Sequence, residues 1–342
     1  MTGPDKLLTI SVAAYNAEPY LERCISSVVS CPDAARLCEI IIVNDGSHDS
    51  TSDIAHRFQS RYPQAVRVID KENGGYGSTV NASLKHATGR YFRLLDADDW
   101  VDTEHLSGFL RELCACDVDV ALSPYLVCND QTKEETPVTL SELHAAQAGR
   151  FEDLDFSWTH LTMHAMTFRT DLLRQAGVHL DHHVLYTDCE FITQPLRFID
   201  TYQMLTNPLY CYRVGREGQS CDYRQTVRHK DDLKTVIKTL TPLYDEQLPG
   251  NKSEFQYSQF LGLYTQLFNA CFLPRDAAWV QLRKLCEEMK PLNPRMWDKF
   301  LRHRVDIRMA LSTHGLMFPL LCVLQRKRLS YSERNRQMHS AY

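Results

Sequence analysis

The sequence predicts an α/β protein: a mainly parallel sheet covered by helices on both faces, followed by a helical appendage. Two observations carry that expectation. From Leu7 to about Ser123, short apolar, β-branched runs alternate with helical periodicity, the pattern of parallel strands buried on both faces. Beyond about Thr226, apolar residues recur at helical spacing in long stretches separated by Pro and Gly. A boundary is therefore expected near 225, with an α/β domain at 1–225 and the appendage at 226–342.

Each element has its own signal. Leu7–Val12 is a strand, and Glu18-Pro19 opens a helix on which Leu21, Ile25, Val28 and Val29 share one side. Glu39–Val43 is a second strand and Asp53–Tyr62 a second helix. Val66–Ile69 and Tyr91–Leu95 are the third and fourth strands, separated by a helix over Ser78–Ala87 that stops at Gly89. Thr103–Cys116 is a helix and Val118–Ser123 a fifth strand. Residues 130–160 are polar and lack periodicity. Met163–Arg169 reads as a strand, Thr170–Ala176 and Glu190–Ile199 as helices, and Leu209–Val214 as a strand. Helices are then expected over Asp231–Tyr244, Phe255–Phe272, Ala277–Met289 and Arg295–Ser312.

With 342 residues, 44% hydrophobic and 24% charged, the chain is globular in composition, which excludes disorder, collagen and a disulfide miniprotein. No run approaches the roughly 18 apolar residues of a membrane span, and Met1–Lys6 lacks a signal-peptide pattern. The 12 cysteines include no C-x-x-C, and Cys114-x-Cys116 stands alone; reduced thiols in a cytoplasmic protein are the expectation.

Ligands of parallel sheets bind beyond the carboxyl ends of the strands, so the polar segments after the first four strands are where chemistry is expected. After the fourth comes Asp96-Ala97-Asp98-Asp99. Three acids there suit magnesium or manganese, which bind carboxylates together with substrate phosphates; acids also favour the start of the helix that follows, and the motif alone leaves both open. Asn44-Asp45-Gly46-Ser47 is turn chemistry taken alone. The glycine-rich Asn73–Ser78 segment enters a helix, where backbone N–H groups can meet phosphate. Ala13-Ala14-Tyr15-Asn16 follows strand one. Each is weak singly, and their shared edge is the signal.

Taken in order, S-V-A-A-Y-N, E-I-I-I-V-N-D-G-S, N-G-G-x-G and L-D-A-D-D-W resemble the family-two inverting, nucleotide-sugar-dependent glycosyltransferases with the GT-A fold, including bacterial cell-surface polysaccharide members. The resemblance runs densely from Leu7 to Trp100 and in patches to about Ser220. It implies a nucleotide site at Ala13, Tyr15 and Asp45, with Asn73 and Ser78 near base and ribose. It implies that Asp96, beside Ala97, faces ribose or metal, and that Asp98 binds a divalent cation, Mn2+ or Mg2+, on the diphosphate. Asp188, in Thr187-Asp188-Cys189-Glu190, matches the family's general base; as a residue it also suits a helix N-cap. Many relatives hold the diphosphate with an arginine where this chain has Val80, so Arg213 and Arg216 are the candidate replacements. His182 and His183, adjacent in an extended segment, should face opposite ways.

The formal net charge of −5 hides an asymmetry. Arg295–Tyr342 holds ten Lys/Arg against three Asp/Glu, leaving −12 on the rest. The apolar run Gly315–Leu324 followed by Gln325-Arg326-Lys327-Arg328 suits an anionic membrane surface through 313–342; a last helix packed on the appendage with a solvated basic end is the other reading. No basic–aromatic module for nucleic acid is present. The expected protein moves a hexose or N-acetylhexosamine from a nucleotide sugar, UDP-linked by expectation, to a glycan or lipid-linked saccharide, in the cytoplasm or at the inner face of the plasma membrane. The alternative is a non-catalytic nucleotide-sugar-binding partner of another transferase. A sugar nucleotidyltransferase would need a Gly-rich, Arg-bearing loop where A-A-Y-N stands.

Overall fold

The computed structural model describes residues 6–143, 146–156, 161–215, 223–274 and 277–339. The chain divides into two compact units, 1–216 with 247–255, and 217–246 with 256–342.

The first unit begins β1 (Leu8–Ala14), α1 (Glu18–Val29), α2 (Pro32–Leu37), β2 (Cys38–Asp45), α3 (Thr51–Arg61), β3 (Val66–Lys71), α4 (Tyr76–His86), β4 (Tyr91–Asp96), β5 (Trp100–Val101) and α5 (Thr103–Ala115). It continues with β6 (Val120–Leu122), β7 (Tyr125–Asn129), β8 (Glu135–Val138), β9 (Ala148–Arg150), β10 (Met166–Arg169), α6 (Thr170–Gln175), α7 (Asp188–Thr193), β11 (Thr201–Met204) and β12 (Tyr210–Val214). Among the described residues one sheet has the order β3-β2-β1-β4-β10-β6-β11-β9 and a second the order β5-β12-β7-β8. β3, β2, β1 and β4 are parallel; β10 runs antiparallel to β4 and β6.

Every residue of β2 is buried, as a strand covered on both faces requires. Its alternation divides the core: Ile40 and Ile42 join Leu21, Ile25 and Phe109 on one face, while Ile41 and Val43 join Val80, Phe92 and Leu94 on the other. α1 carries Pro19 in its first turn and buries Leu21, Cys24, Ile25, Val28 and Val29, the i, i+3, i+4, i+7 stripe of a core-facing helix.

Three departures from the sequence expectation have local causes. The unpatterned 130–160 stretch contains β8, which pairs antiparallel with β7, and the edge strand β9, both short and mostly exposed, so no alternation marks them. The helix expected over Glu190–Ile199 ends as α7 at Thr193 and tightens to a 3₁₀ turn at Gln194–Phe198, where Pro195 brings no N–H. Residues 247–255 return to the first unit: Leu248 and Phe255 bury with Phe151 and Phe156, and Asn251 Nδ2 donates to the Leu154 carbonyl at 2.9 Å. In sequence, the first unit thus takes up 247–255 as well as 1–216.

The second unit is helical: α8 (Tyr223–Arg228), α9 (Lys230–Leu240), most of α10 (Lys252–Phe272), α11 (Trp279–Met289), α12 (Pro294–His303), α13 (Val305–Ser312) and α14 (Phe318–His339). Its core packs Tyr264, Phe268, Trp297 and Phe300 together with neighbouring ring centroids 5.1–6.3 Å apart. The single helix expected over Arg295–Ser312 breaks at the buried Arg304, whose Nε and Nη2 donate to Asp306 at 2.9 and 2.8 Å.

Candidate active site

The chain builds β1, β2 and β3 outward, then crosses back to lay β4 on the other side of β1. That reversal opens a crevice at the carboxyl ends of β1 and β4, the usual ligand position of such sheets. Strand register decides what meets there: Ala13 lies opposite Asp96, Ala14 opposite Asn44, and Asp45 opposite Lys71. Tyr15, just past β1, is 51% exposed. The turn that carries it is tied to the N-D-G-S turn, with Asn16 Oδ1 accepting from His48 N–H at 2.9 Å.

Asp45 is the peg of the glycine-rich loop. Its carboxylate accepts from Gly74 N–H at 2.9 Å, Gly75 N–H at 2.8 Å and Lys71 Nζ at 2.6 Å. Asn73 Nδ2 donates to the Asp45 carbonyl at 3.0 Å. Ser78 Oγ accepts from Lys71 Nζ at 2.9 Å and donates to the Gly75 carbonyl at 2.7 Å. Gly75 has φ +81°, a conformation that favours glycine. The sequence set Asp45 and Ser78 against the nucleotide itself; the structure buries both and spends these polar atoms on the loop. Ala13 is half-buried and Asn73 exposed.

Asp96, Asp98 and Asp99 bring carboxylate oxygens within 4.8 Å of one another. Asp96 and Asp98 are half-buried, Ala97 between them is buried, and Asp99 is buried beneath. Asp99 Oδ2 accepts from Tyr210 O–H at 2.6 Å and Oδ1 from Arg213 N–H at 2.8 Å, while Tyr210 Oη accepts from Asp96 N–H at 3.2 Å. Burial, and then the neighbouring Asp96 charge, push Asp99 up to about 8. β12 thus holds the acidic turn from below and leaves Asp96 and Asp98 toward the crevice. Carboxylate oxygens at this spacing fit a hard divalent cation.

Asp188 is the first residue of α7. Its side chain is exposed, yet surrounding protein desolvates the carboxyl and pushes it above the usual carboxylate range. A group at the wall of a cleft meets both descriptions: water reaches it from one side and protein crowds the rest. Tyr76 relates it to the acidic turn. The Tyr76 hydroxyl donates to Asp96 Oδ1 at 2.8 Å; burial, then the Asp96 charge, and after it that of Asp188, push the phenol up.

Two expectations about cations change. Arg213 is buried at 8% exposure; its Nε donates to the Asp98 carbonyl at 2.8 Å, and its Nη1 lies 3.0–3.1 Å from both Asp130 carboxylate oxygens. That geometry makes it a strap on the acidic turn, a role that the expectation of a diphosphate clamp did not include. Arg216 lies outside the described residues. The segment with His182 and His183 is not extended either, since His183 has φ +56°. Sequence reasoning missed Tyr76, Tyr210, Asp99 as a buried anchor, and Lys71. The register of Lys71 opposite Asp45 at two strand ends was the available signal for the last.

Residues 9–177 match the family described as Glycosyl transferase family 2, so this domain belongs to glycosyl transferase family 2, with the GT-A fold. The chain is 29% identical over 223 residues to the uncharacterized glycosyltransferase EpsJ of Bacillus subtilis, across 60% of this chain and 61% of that protein. It is 26% identical over 218 residues to the minor teichoic acid biosynthesis protein GgaB of the same organism, across 62% and 23%. With glycosyltransferase GlyA of Streptococcus pneumoniae it shares 29% over 126 residues, 37% of this chain and 18% of that one. The chain thus spans less than two thirds of these relatives. Among solved structures, S. aureus TarS 1–349 superposes with a TM-score of 0.63 at 16% identity, covering 96% of this chain and 91% of that one. The mannosyltransferase PcManGT from Pyrobaculum calidifontis, in complex with GDP-Man and Mn2+, gives 0.53 at 17% identity, covering 95% and 89%. At these identities the likeness concerns the fold.

Proposed function

We propose that this chain is a metal-dependent, inverting glycosyltransferase that moves a hexose or N-acetylhexosamine from a UDP-sugar to a glycan or glycolipid hydroxyl in cell-surface polysaccharide synthesis. The observation that carries this reading is the acidic turn at the switch point of the sheet, where Asp96 and Asp98 cluster and Asp96 accepts from Tyr76, a phenol that also feels the Asp188 charge. Inversion needs one carboxylate to take the acceptor proton and positive charge to meet the departing diphosphate. Asp188 is the base, its carboxyl raised above the usual carboxylate range by desolvation. Asp98 and Asp96 hold Mn2+ or Mg2+, which supplies charge stabilisation at the leaving diphosphate when bound. Ala13, Tyr15, Asn73 and Ala97 border the nucleotide, while Asp45 and Ser78 shape the loop against it. The UDP assignment draws support from TarS 1–349, whose complex with UDP-GlcNAc has the same fold at a TM-score of 0.54. The acceptor class draws support from the teichoic acid relative GgaB.

The membrane reading belongs to the same proposal: the chain works in the cytoplasm, at the inner face of the plasma membrane. In α14, Phe318, Leu321 and Cys322 are buried, whereas Leu320, Val323 and Leu324 are 45–53% exposed and Lys327 and Arg328 continue that face. Leu316, just before it, is 87% exposed. Between Lys299 and Arg328 the exposed Asp, Glu, Lys and Arg side chains are Arg302, Arg308, Lys327 and Arg328, all basic. An apolar strip rimmed by cations suits an anionic lipid surface. No helix of the described residues is long and apolar enough to cross a membrane.

The test is thermal stability with UDP, GDP, dTDP and CDP, each with manganese and with EDTA. Ligand at 100 times its dissociation constant adds about 2.7 kcal/mol, a shift of several degrees. A rise with UDP and manganese alone is expected, and Asp188→Asn should keep that rise while losing transfer. No shift with any nucleotide overturns the donor site; near-normal transfer by Asp188→Asn removes it as base.

A further inference from the structure

The segment that leads into Asp188 is fastened to the donor side of the crevice at three points. Asn81 of α4 grips the backbone of Leu180 from both ends: its Oδ1 accepts from Leu180 N–H at 2.9 Å and its Nδ2 donates to the Leu180 carbonyl at 2.8 Å. Four residues earlier on α4, Gly77 leaves the room that the next residue fills, since a Cβ there would stand 2.2 Å from the Asp181 carbonyl oxygen and 2.9 Å from Leu180 Cβ. His183 N–H then donates at 2.8 Å to the carbonyl of Gly74, in the loop that Asp45 pegs. The other end is anchored by Glu190. It is fully buried, and its Oε2 accepts from Asp181 N–H at 2.8 Å across the turn. Between the anchors the chain passes through positive φ at two non-glycine residues, His183 and Tyr186. Such conformations persist only where the surroundings over-determine them.

We infer that Leu180–Glu190 is a strut that sets the position of Asp188 from the nucleotide loop, with Asn81 and Glu190 as its positioning residues. Neither touches the reacting atoms. Asn81 fixes the strut to the helix that rises from the Asn73–Gly75 loop, and Glu190 fixes it to the helix that begins with Asp188. Any displacement of that loop by a nucleotide is carried through Gly74–His183 and Asn81–Leu180 to the base. Filling of the donor site and alignment of the base are then one event, so donor should bind before acceptor transfer becomes efficient. This rests on Asp188 as base and on nucleotide at the Asn73–Gly75 loop.

Hydrogen exchange with UDP and manganese as the probe separates the strut from the reading beneath it. In the unaltered protein UDP should slow amide exchange at 73–77 and also at 180–190. In Asn81→Ala, protection at 73–77 should remain while that at 180–190 is lost. Turnover of the UDP-sugar should fall roughly 10- to 100-fold in kcat, with donor KM within about threefold, as misplacement near 1 Å produces. Glu190→Ala should behave likewise, and Glu190→Gln, whose amide oxygen still accepts from Asp181, should restore both readouts. If Asn81→Ala does not fold, Asn81→Asp keeps the acceptor and loses the donor, and carries the same test. Protection at 73–77 without protection at 180–190 in the unaltered protein overturns the strut and leaves the donor site standing. Equal protection of both segments in Asn81→Ala does the same. No protection at 73–77 in any form overturns the nucleotide reading and the strut with it.

Discussion

Arg213 is bound to Asp130 through Nη1 at 3.0 Å while its Nε holds the Asp98 carbonyl at 2.8 Å. One guanidinium therefore joins β12, the β7–β8 hairpin and the acidic turn. The ring of Trp100 lies 5.1 Å from the Arg213 guanidinium carbon and 3.4 Å from that of Arg23, so the indole is flanked by two cations. The Arg213 hydrogen bonds hold the Asp130 carboxyl below its usual range.

Removing Arg213 should loosen the turn that carries Asp98. Arg213→Ala leaves Asp99 its backbone partner but removes the guanidinium from the Asp98 carbonyl and from Asp130, which keeps Lys133 Nζ at 3.6 Å as an ion-pair partner. Because Asp130 is 30% exposed, the cost should fall below that of a fully buried pair, about 2–3 kcal/mol in urea unfolding. Manganese-dependent UDP affinity should drop about tenfold. Arg213→Lys keeps the charge without the fork and should lie between. Unchanged metal-dependent affinity in Arg213→Ala removes the strap from the metal site.

Tyr76→Phe should separate chemistry from fold. It deletes the hydroxyl that donates to Asp96 Oδ1 and keeps the ring. Hydrogen bonds to charged groups contribute about 1.5–3 kcal/mol, so transfer should fall roughly 10- to 100-fold while UDP binding in EDTA stays within about twofold. Transfer within twofold of the unaltered protein would leave Tyr76 as packing alone.

What could be read in advance divides along physical lines. β2 was legible because Ile40–Val43 is the unbroken apolar run of a strand buried on both faces, β4 because Tyr91, Phe92, Leu94 and Leu95 outweigh the single Arg93, and D-A-D-D at its end because three acids there make a poor core. The anchors of that turn were not. Tyr210 and Arg213 lie in a strand 111 or more residues beyond Asp99, and local pattern carries no information on contacts of that range. Tyr76 was hidden differently: the helix was expected to begin at Ser78, but begins at Tyr76, so the residue read as loop. The exposed basic end of α14 was visible as composition, and which of its apolar residues face outward was not.

Stability should depend on pH through Glu190. Burial first, then the nearby charges of Asp181 and Asp188, push its carboxyl up to about 8, against a backbone hydrogen bond from Asp181 that lowers it. The folded protein keeps that proton up to about pH 8, whereas the unfolded chain releases it near 4.3. Between those values the unfolded state binds fewer protons, so this group makes stability fall as pH rises from about 4 to 8 and level off above. Glu190→Gln should flatten the melting temperature between pH 5 and 8, measured in EDTA. Equal slopes in both proteins would mean the carboxylate is already ionised in the fold.

The exposed face of α14 yields a sharper test than deleting the tail, because its residues can be changed without touching the core. Leu320→Glu with Val323→Glu places two acids on a surface where both side chains are already 45–51% exposed, so the melting temperature should move little. Flotation with vesicles containing anionic phosphatidylglycerol should carry the unaltered protein upward and leave the double variant below. Lys327→Glu with Arg328→Glu keeps the apolar strip and reverses its cationic end; at about 1 kcal/mol per basic residue near the surface, binding should weaken at least 20- to 30-fold. Vesicles of phosphatidylcholine alone should bind far less, and added salt should release the protein from the anionic ones, as screening requires. If the unaltered protein stays below with every vesicle while sedimentation shows it self-associating, and Leu320→Glu with Val323→Glu makes it monomeric, the apolar strip is an interface between copies of this chain and the membrane reading falls.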